Sequence, residues 1–173
     1  MLLWNISKGG AEIMDTLNAW IIANIDESLI DGDKLKSLPI GKDDLVVLMN
    51  TAVALPYLAD KGRRYLYLRG TPGHCHYFGE DRLPDTNHMY EAIFYLEGDK
   101  DEDAEYVVSF YPKEKKPSTG FLTYLLYENI CNVTLVNFIG PSRDKKQHWD
   151  CHDWEFEYEY YKNNNAKIEL CLK

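Results

Sequence analysis

The chain has no apolar run long enough to cross a bilayer, which takes about 20 consecutive apolar residues as a helix. Its opening Met1-Leu2-Leu3-Trp4 is too short for the apolar heart of a secretion signal and is followed by polar residues, so neither insertion nor secretion is expected. Cysteine is sparse. Cys75, Cys131, Cys151 and Cys171 lie far apart with no CxxC spacing, which predicts free thiols in a reducing, cytoplasmic setting. Positive charge is in deficit, with 19 Lys and Arg against 28 Asp and Glu for a net charge of −9. That balance argues against a nucleic-acid binder, which needs Lys and Arg to displace counterions from phosphates. Neither Gly-x-Gly-x-x-Gly nor Gly-x4-Gly-Lys-Ser/Thr occurs, so nucleotide chemistry has no motif in its favour. Internal repeats, low-complexity tracts and linkers are also missing.

What is present fits one globular domain. A chain of 173 residues buries enough apolar surface to fold around a single core. Its 13 Tyr and 4 Trp suit strands and binding faces alike.

Periodicity predicts an α+β layout over residues 1–173. Ile13, Leu17, Trp20, Ile21 and Ile25 recur at three- and four-residue steps, the spacing of one helix face over residues 11–25. Leu45, Leu48, Met49 and Ala52 suggest a second helix over residues 43–60, kinked or ended by Pro56 and closed by Gly62. Beyond Gly62 the period falls to two. Residues 63–69, 90–97 and 106–110 alternate as strands, the last two as a hairpin. Residues 121–127 suit a helix capped by Ser118 or Thr119, or equally a strand. Residues 133–138 are β-branched and apolar enough for a central strand. In residues 154–160, Trp154, Phe156, Tyr158 and Tyr160 alternate with Glu155, Glu157 and Glu159. Asn163-Asn164-Asn165 then turns the chain into residues 167–173, giving a terminal hairpin. The expected fold is two N-terminal helices packed on an antiparallel β-meander of about five to seven strands.

The five histidines fall in two clusters. His74-Cys75-His76 and His88 belong to a loop punctuated by Gly and Pro, and His148 and His152 flank Trp149-Asp150-Cys151. A His-x-His on extended chain points both rings to one side and can offer two imidazoles to a divalent metal. Glu80, Asp85 or His88 could add further ligands, and the candidate set is His74, His76, Glu80 and His88. His148-x-x-Cys151-His152 is a second, zinc-favouring set. Pairing Cys75 or Cys151 with a histidine of the other cluster would make a nucleophilic site only with a lowered thiol pKa.

His74-x-His76 with Glu80, followed by Glu91-Ala92-Ile93-Phe94-Tyr95-Leu96-Glu97-Gly98-Asp99, resembles the first motif region of cupins. The resemblance implies a β-barrel and a metal-dependent enzyme. It is confined to residues 74–99. An extra loop separates the pair from the strand, the following Pro-Gly-Asp-type turn is missing, and no second motif supplies the later histidine. The family is therefore not assigned.

Acidic residues concentrate at Asp101, Glu102 and Asp103 in a turn, and at Glu155, Glu157 and Glu159. They predict contact with a basic protein partner, as in a small inhibitor of immunity or anti-defence type. The same carboxylates also suit a charged, aggregation-resistant sheet edge. Two other readings stand beside the inhibitor: a cupin-like metal enzyme at His74 and His76, and a pocket for an apolar small molecule between helices and a curved sheet.

Overall fold

Leu45-Val46-Val47-Leu48-Met49 is a run in which no residue is polar, and it forms a strand, β2 (Leu45–Met49), buried at every position. Its neighbour β1 (Asn18–Ile22) buries every residue after Asn18. Strands without alternation are covered on both faces, the condition of a parallel sheet. A computed structural model of the chain describes residues 17–69, 75–77, 80–82, 90–96, 110–112, 114–139 and 152–173, with backbone alone at 69, 75–77, 80–82, 95 and 96.

The remaining strands are β3 (Arg63–Arg69), β4 (Cys75–Tyr77), β5 (Glu80–Arg82), β6 (Ala92–Leu96), β7 (Asn132–Val136) and β8 (Lys167–Glu169). Six of them form one sheet in the order β6-β3-β2-β1-β7-β8, with every pairing parallel. β4 and β5 make a separate antiparallel pair. Four helices join the described strands: α1 (Gly32–Ser37), α2 (Leu55–Leu58), α3 (Thr119–Tyr127) and α4 (Trp154–Asn163).

Parallel neighbours require crossovers, and the crossovers fall on both faces. α1 and α2 cover one face through Leu35, Leu55 and Leu58, packed with Trp20, Ile22, Val46, Leu48, Leu66 and Val136. α3 and α4 cover the other through Phe121, Tyr124, Tyr127 and Tyr161, packed with Ala19, Ile21, Val47 and Leu135. Successive residues of one strand thus feed opposite cores. Phe121 is fully buried and sits among the rings of Tyr111, Phe156, Tyr160 and Tyr161 at 5.1 to 6.0 Å. Burying a side chain of that size contributes roughly 1.5–3 kcal/mol.

The expected antiparallel meander is therefore replaced by a parallel, interleaved sheet. The predicted N-terminal helix is β1 in its described part, residues 18–22, and the predicted second helix is β2 followed by the short α2. Pro56 lies in the first turn of α2, where its missing N–H is tolerated, and so starts the helix that it was expected to end. The terminal hairpin is absent: residues 154–163 are helical, and β8 runs parallel to β7. Residues 119–127, open between helix and strand, are helical, with the Ser118 side chain accepting from the Phe121 N–H as N-cap. The strands expected at 63–69, within 90–97 and at 133–138 are found as β3, β6 and β7. Residues 106–109 lie outside the described residues. No described helix is long and apolar enough to cross a membrane.

Candidate functional site

The order β6-β3-β2-β1-β7-β8 reverses direction once, between β1 and β7. The chain leaving β1 goes to the α1 face, and β7 is followed by α4 on the opposite face. Connections that part in this way open the carboxyl edge of a parallel sheet, the general position of ligand sites in doubly wound folds.

Amide and hydroxyl side chains occupy that edge. After β1 stands Asn24 and after β2 stand Asn50 and Thr51. The Thr51 hydroxyl donates to Asn24 Oδ1 at 2.8 Å, so the Asn24 amide nitrogen is its donor end. Asn137 follows β7 directly and is fully buried. Its Oδ1 accepts from the Cys171 N–H at 2.7 Å, which fixes the orientation of the amide. Its Nδ2 has no hydrogen-bond partner among the described residues. Most buried polar groups in folded proteins are paired. Backbone strain gathers here too: Asn50, Ala52 and Asn137 have φ of 50°, 49° and 62°. For alanine a left-handed conformation costs about 1–2 kcal/mol, and such strain tends to cluster at functional sites.

One wall of this edge is made by the starts of α3 and α4. Phe138, next after Asn137, lies against the first turn of α3, where a Cβ on Gly120 would come within 2.8 Å of its ring. Any larger residue at 120 would have to displace the ring. Glu157, in the first turn of α4, is 1% exposed. Its Oε1 accepts from the Tyr111 hydroxyl and from the Ser118 N–H, both at 2.7 Å, and its Oε2 accepts from the Ser118 hydroxyl at 2.6 Å. The Tyr111 hydroxyl in turn accepts from the Asp153 N–H at 2.9 Å. Asp153 caps α4 by accepting from the Phe156 N–H. Burial, followed by the negative charge of Glu157, holds the Tyr111 hydroxyl far above the usual tyrosine range. His152 Nδ1 lies 2.6 Å from the Lys116 carbonyl oxygen. A carbonyl accepts only, so Nδ1 carries a proton and, in the neutral ring, Nε2 is the basic nitrogen.

The residues singled out from sequence are distributed unevenly. His74, His88, His148, Cys151, Asp101, Glu102 and Asp103 lie outside the described residues. His76 and Glu80 are placed by backbone in β4 and β5, with Tyr77 registered against Glu80. Among the described residues no group of three or more His, Cys, Asp and Glu could hold a metal. Cys131 and Cys171 are free thiols. Glu155 and Glu159 are exposed, the latter paired with Lys162 at 2.8 Å, whereas Glu157 faces inward. Asn24, Thr51 and Asn137 carried no signal in the sequence pattern, because lone amides and hydroxyls in loops are common. Knowing that β1 and β7 are adjacent and parallel would have singled them out.

Compared with family models, curated proteins and solved structures, the chain matches none.

Proposed function

We propose that the domain binds a small polar metabolite of the nucleotide or nucleotide-linked class at the carboxyl edge between β1 and β7. The observation that carries this reading is the buried Asn137 Nδ2, a donor without a partner among the described residues at the one point where the strand order reverses. Asn24, Thr51 and Asn137 supply amide and hydroxyl groups of the kind that read a heterocycle edge or a ribose hydroxyl. The lack of a glycine-rich phosphate loop leaves recognition to these side chains rather than to a backbone cradle. This differs from the apolar pocket expected from composition. Of the carboxylates offered to a basic protein partner, Glu157 is spent inward on Tyr111 and Ser118.

The test is thermal unfolding and titration calorimetry with AMP, CMP, GMP, UMP and their diphosphates. A ligand at 100 times its Kd adds about 2.7 kcal/mol of stability. In a domain of this size that raises Tm by roughly 5–10 °C. Thr51→Val should weaken binding at least fivefold while leaving the fold intact. No shift with any nucleotide on the panel refutes the reading.

A further inference from the structure

Glu157 has a stronger set of partners than a fold of this kind requires. A carboxylate buried to 1% exposure carries a heavy desolvation penalty, and apolar residues of similar volume commonly serve as well or better in a core. The neighbours that would welcome such a residue are present: Phe121 and Phe156 lie beside Tyr111 and Tyr161. Here the penalty is offset by three donors drawn from outside α4, the Tyr111 hydroxyl and both the N–H and the hydroxyl of Ser118.

Those donors are at junctions. Ser118 is the N-cap of α3, so the carboxylate grips the start of one helix from the first turn of another. Tyr111 passes the connection back, because its hydroxyl donates to Glu157 and accepts from the N–H of Asp153. Asp153 is the N-cap of α4, next to His152. His152 closes the circuit through Lys116, two residues before Ser118. Tyr111, Lys116 and Ser118 are thus tied to His152, Asp153 and Glu157, on the edge where Phe138 leaves β7.

From this arrangement we infer that Glu157 is a positioning residue: it locks the starts of α3 and α4 into one wall and fixes the tautomer and placement of His152 beside the ligand edge. The inference rests on the nucleotide reading only for its consequence in binding. The geometry of His152 follows from the hydrogen bonds alone. A carboxylate suits the role because it accepts at both oxygens, whereas an amide must present a donor at one of them. Glutamine at this position places an N–H2 against Ser118, whose hydroxyl then has to turn. Phenylalanine at position 111 removes only the hydroxyl that links Glu157 to Asp153.

The experiment compares wild type, Glu157→Gln and Tyr111→Phe, both variants being near-isosteric so that the fold survives. The readout that a merely structural role would not move is the nitrogen spectrum of the His152 ring, which distinguishes Nδ1–H from Nε2–H. Wild type should show the Nδ1–H form. Both variants should show a mixture, with affinity for the tightest nucleotide of the panel lowered at least fivefold and circular dichroism unchanged. If His152 keeps a pure Nδ1–H signature in both variants, the positioning role is refuted, whatever the affinities. If the wild type binds no nucleotide, the function reading fails by itself and the His152 spectrum still decides this one. Should Glu157→Gln unfold, Tyr111→Phe carries the test alone, and an unaltered His152 signal in it overturns the inference.

Discussion

Replacing Asn137 by alanine and, separately, by glycine isolates what its backbone and side chain contribute. Both variants remove the acceptor of the Cys171 N–H, a loss of about 1–3 kcal/mol for a buried donor left unpaired. Both also remove the unpartnered Nδ2, a gain of about the same 1–3 kcal/mol. These shared contributions cancel when the variants are compared with each other. The difference that survives lies in the backbone. Alanine held at φ of 62° costs about 1–2 kcal/mol, whereas glycine adopts that conformation freely but surrenders about 0.5–1 kcal/mol of unfolded-state freedom. The glycine variant should therefore be the more stable of the two by about 0.7 kcal/mol, or roughly 2 °C in Tm for a chain of this length. In an ordinary helix or strand interior the order is the reverse. Urea unfolding followed by tryptophan fluorescence measures both midpoints. An alanine variant as stable as the glycine variant would refute the left-handed clamp. A glycine variant more than about 2 kcal/mol below wild type would show that Nδ2 is already satisfied, since its removal would then return nothing.

Two further outcomes are expected. Gly62→Ala combines a φ of +49° with a Cβ 2.7 Å from both the Asp44 carbonyl oxygen and a Val46 methyl group, and should lower stability by about 2–4 kcal/mol, an effect that an unchanged thermal midpoint would contradict. Burial, then Glu128, pushes Tyr124 up to about 12, and burial raises Tyr67, Tyr127 and Tyr161 as well. Because the folded-state values lie above the unfolded value of about 10, stability is intact below pH 10 and declines as pH rises through 12. Tyrosinate absorbance should therefore appear together with unfolding, and a smooth titration of all 13 Tyr centred on pH 10 in folded protein would contradict this.

The outline of an α+β domain was legible in the sequence, and β3, β6 and β7 with it, because Arg63–Arg69 and Asn132–Val136 are rich in aromatic and β-branched residues. β1 and β2 were not. Ala19-Trp20-Ile21-Ile22 and Leu45-Val46-Val47-Leu48-Met49 are buried on both faces, so alternation vanishes, and a short apolar run fits a helical spacing as well as any other. The opposite ambiguity hid α4. Aromatics alternating with glutamates at 154–160 imitate a half-buried strand, yet Phe156, Tyr160 and Tyr161 also fall at helical steps, and Asp153 ahead of them is a capping residue. Glu157 then joins the inward face, a placement that the strand pattern assigned to water. Of the candidate site, His152 was noticed for its residue type. Asn137 was not, because its importance comes from pairing between strands remote in sequence.

The central position of β1 also has a history in time. Its β2 side can be completed by chain that follows soon after, with Ala19 meeting Leu45. Its other side must wait until residue 20 finds residue 134. Such long-range parallel pairing is slow, because the loop must close before any contact rewards it. During synthesis the first half of the chain therefore emerges with an open, apolar strand edge on Trp20, Ile21 and Ile22, the kind of edge that recruits a second chain. Whatever guards that edge before β7 arrives governs how much of the protein reaches its native state.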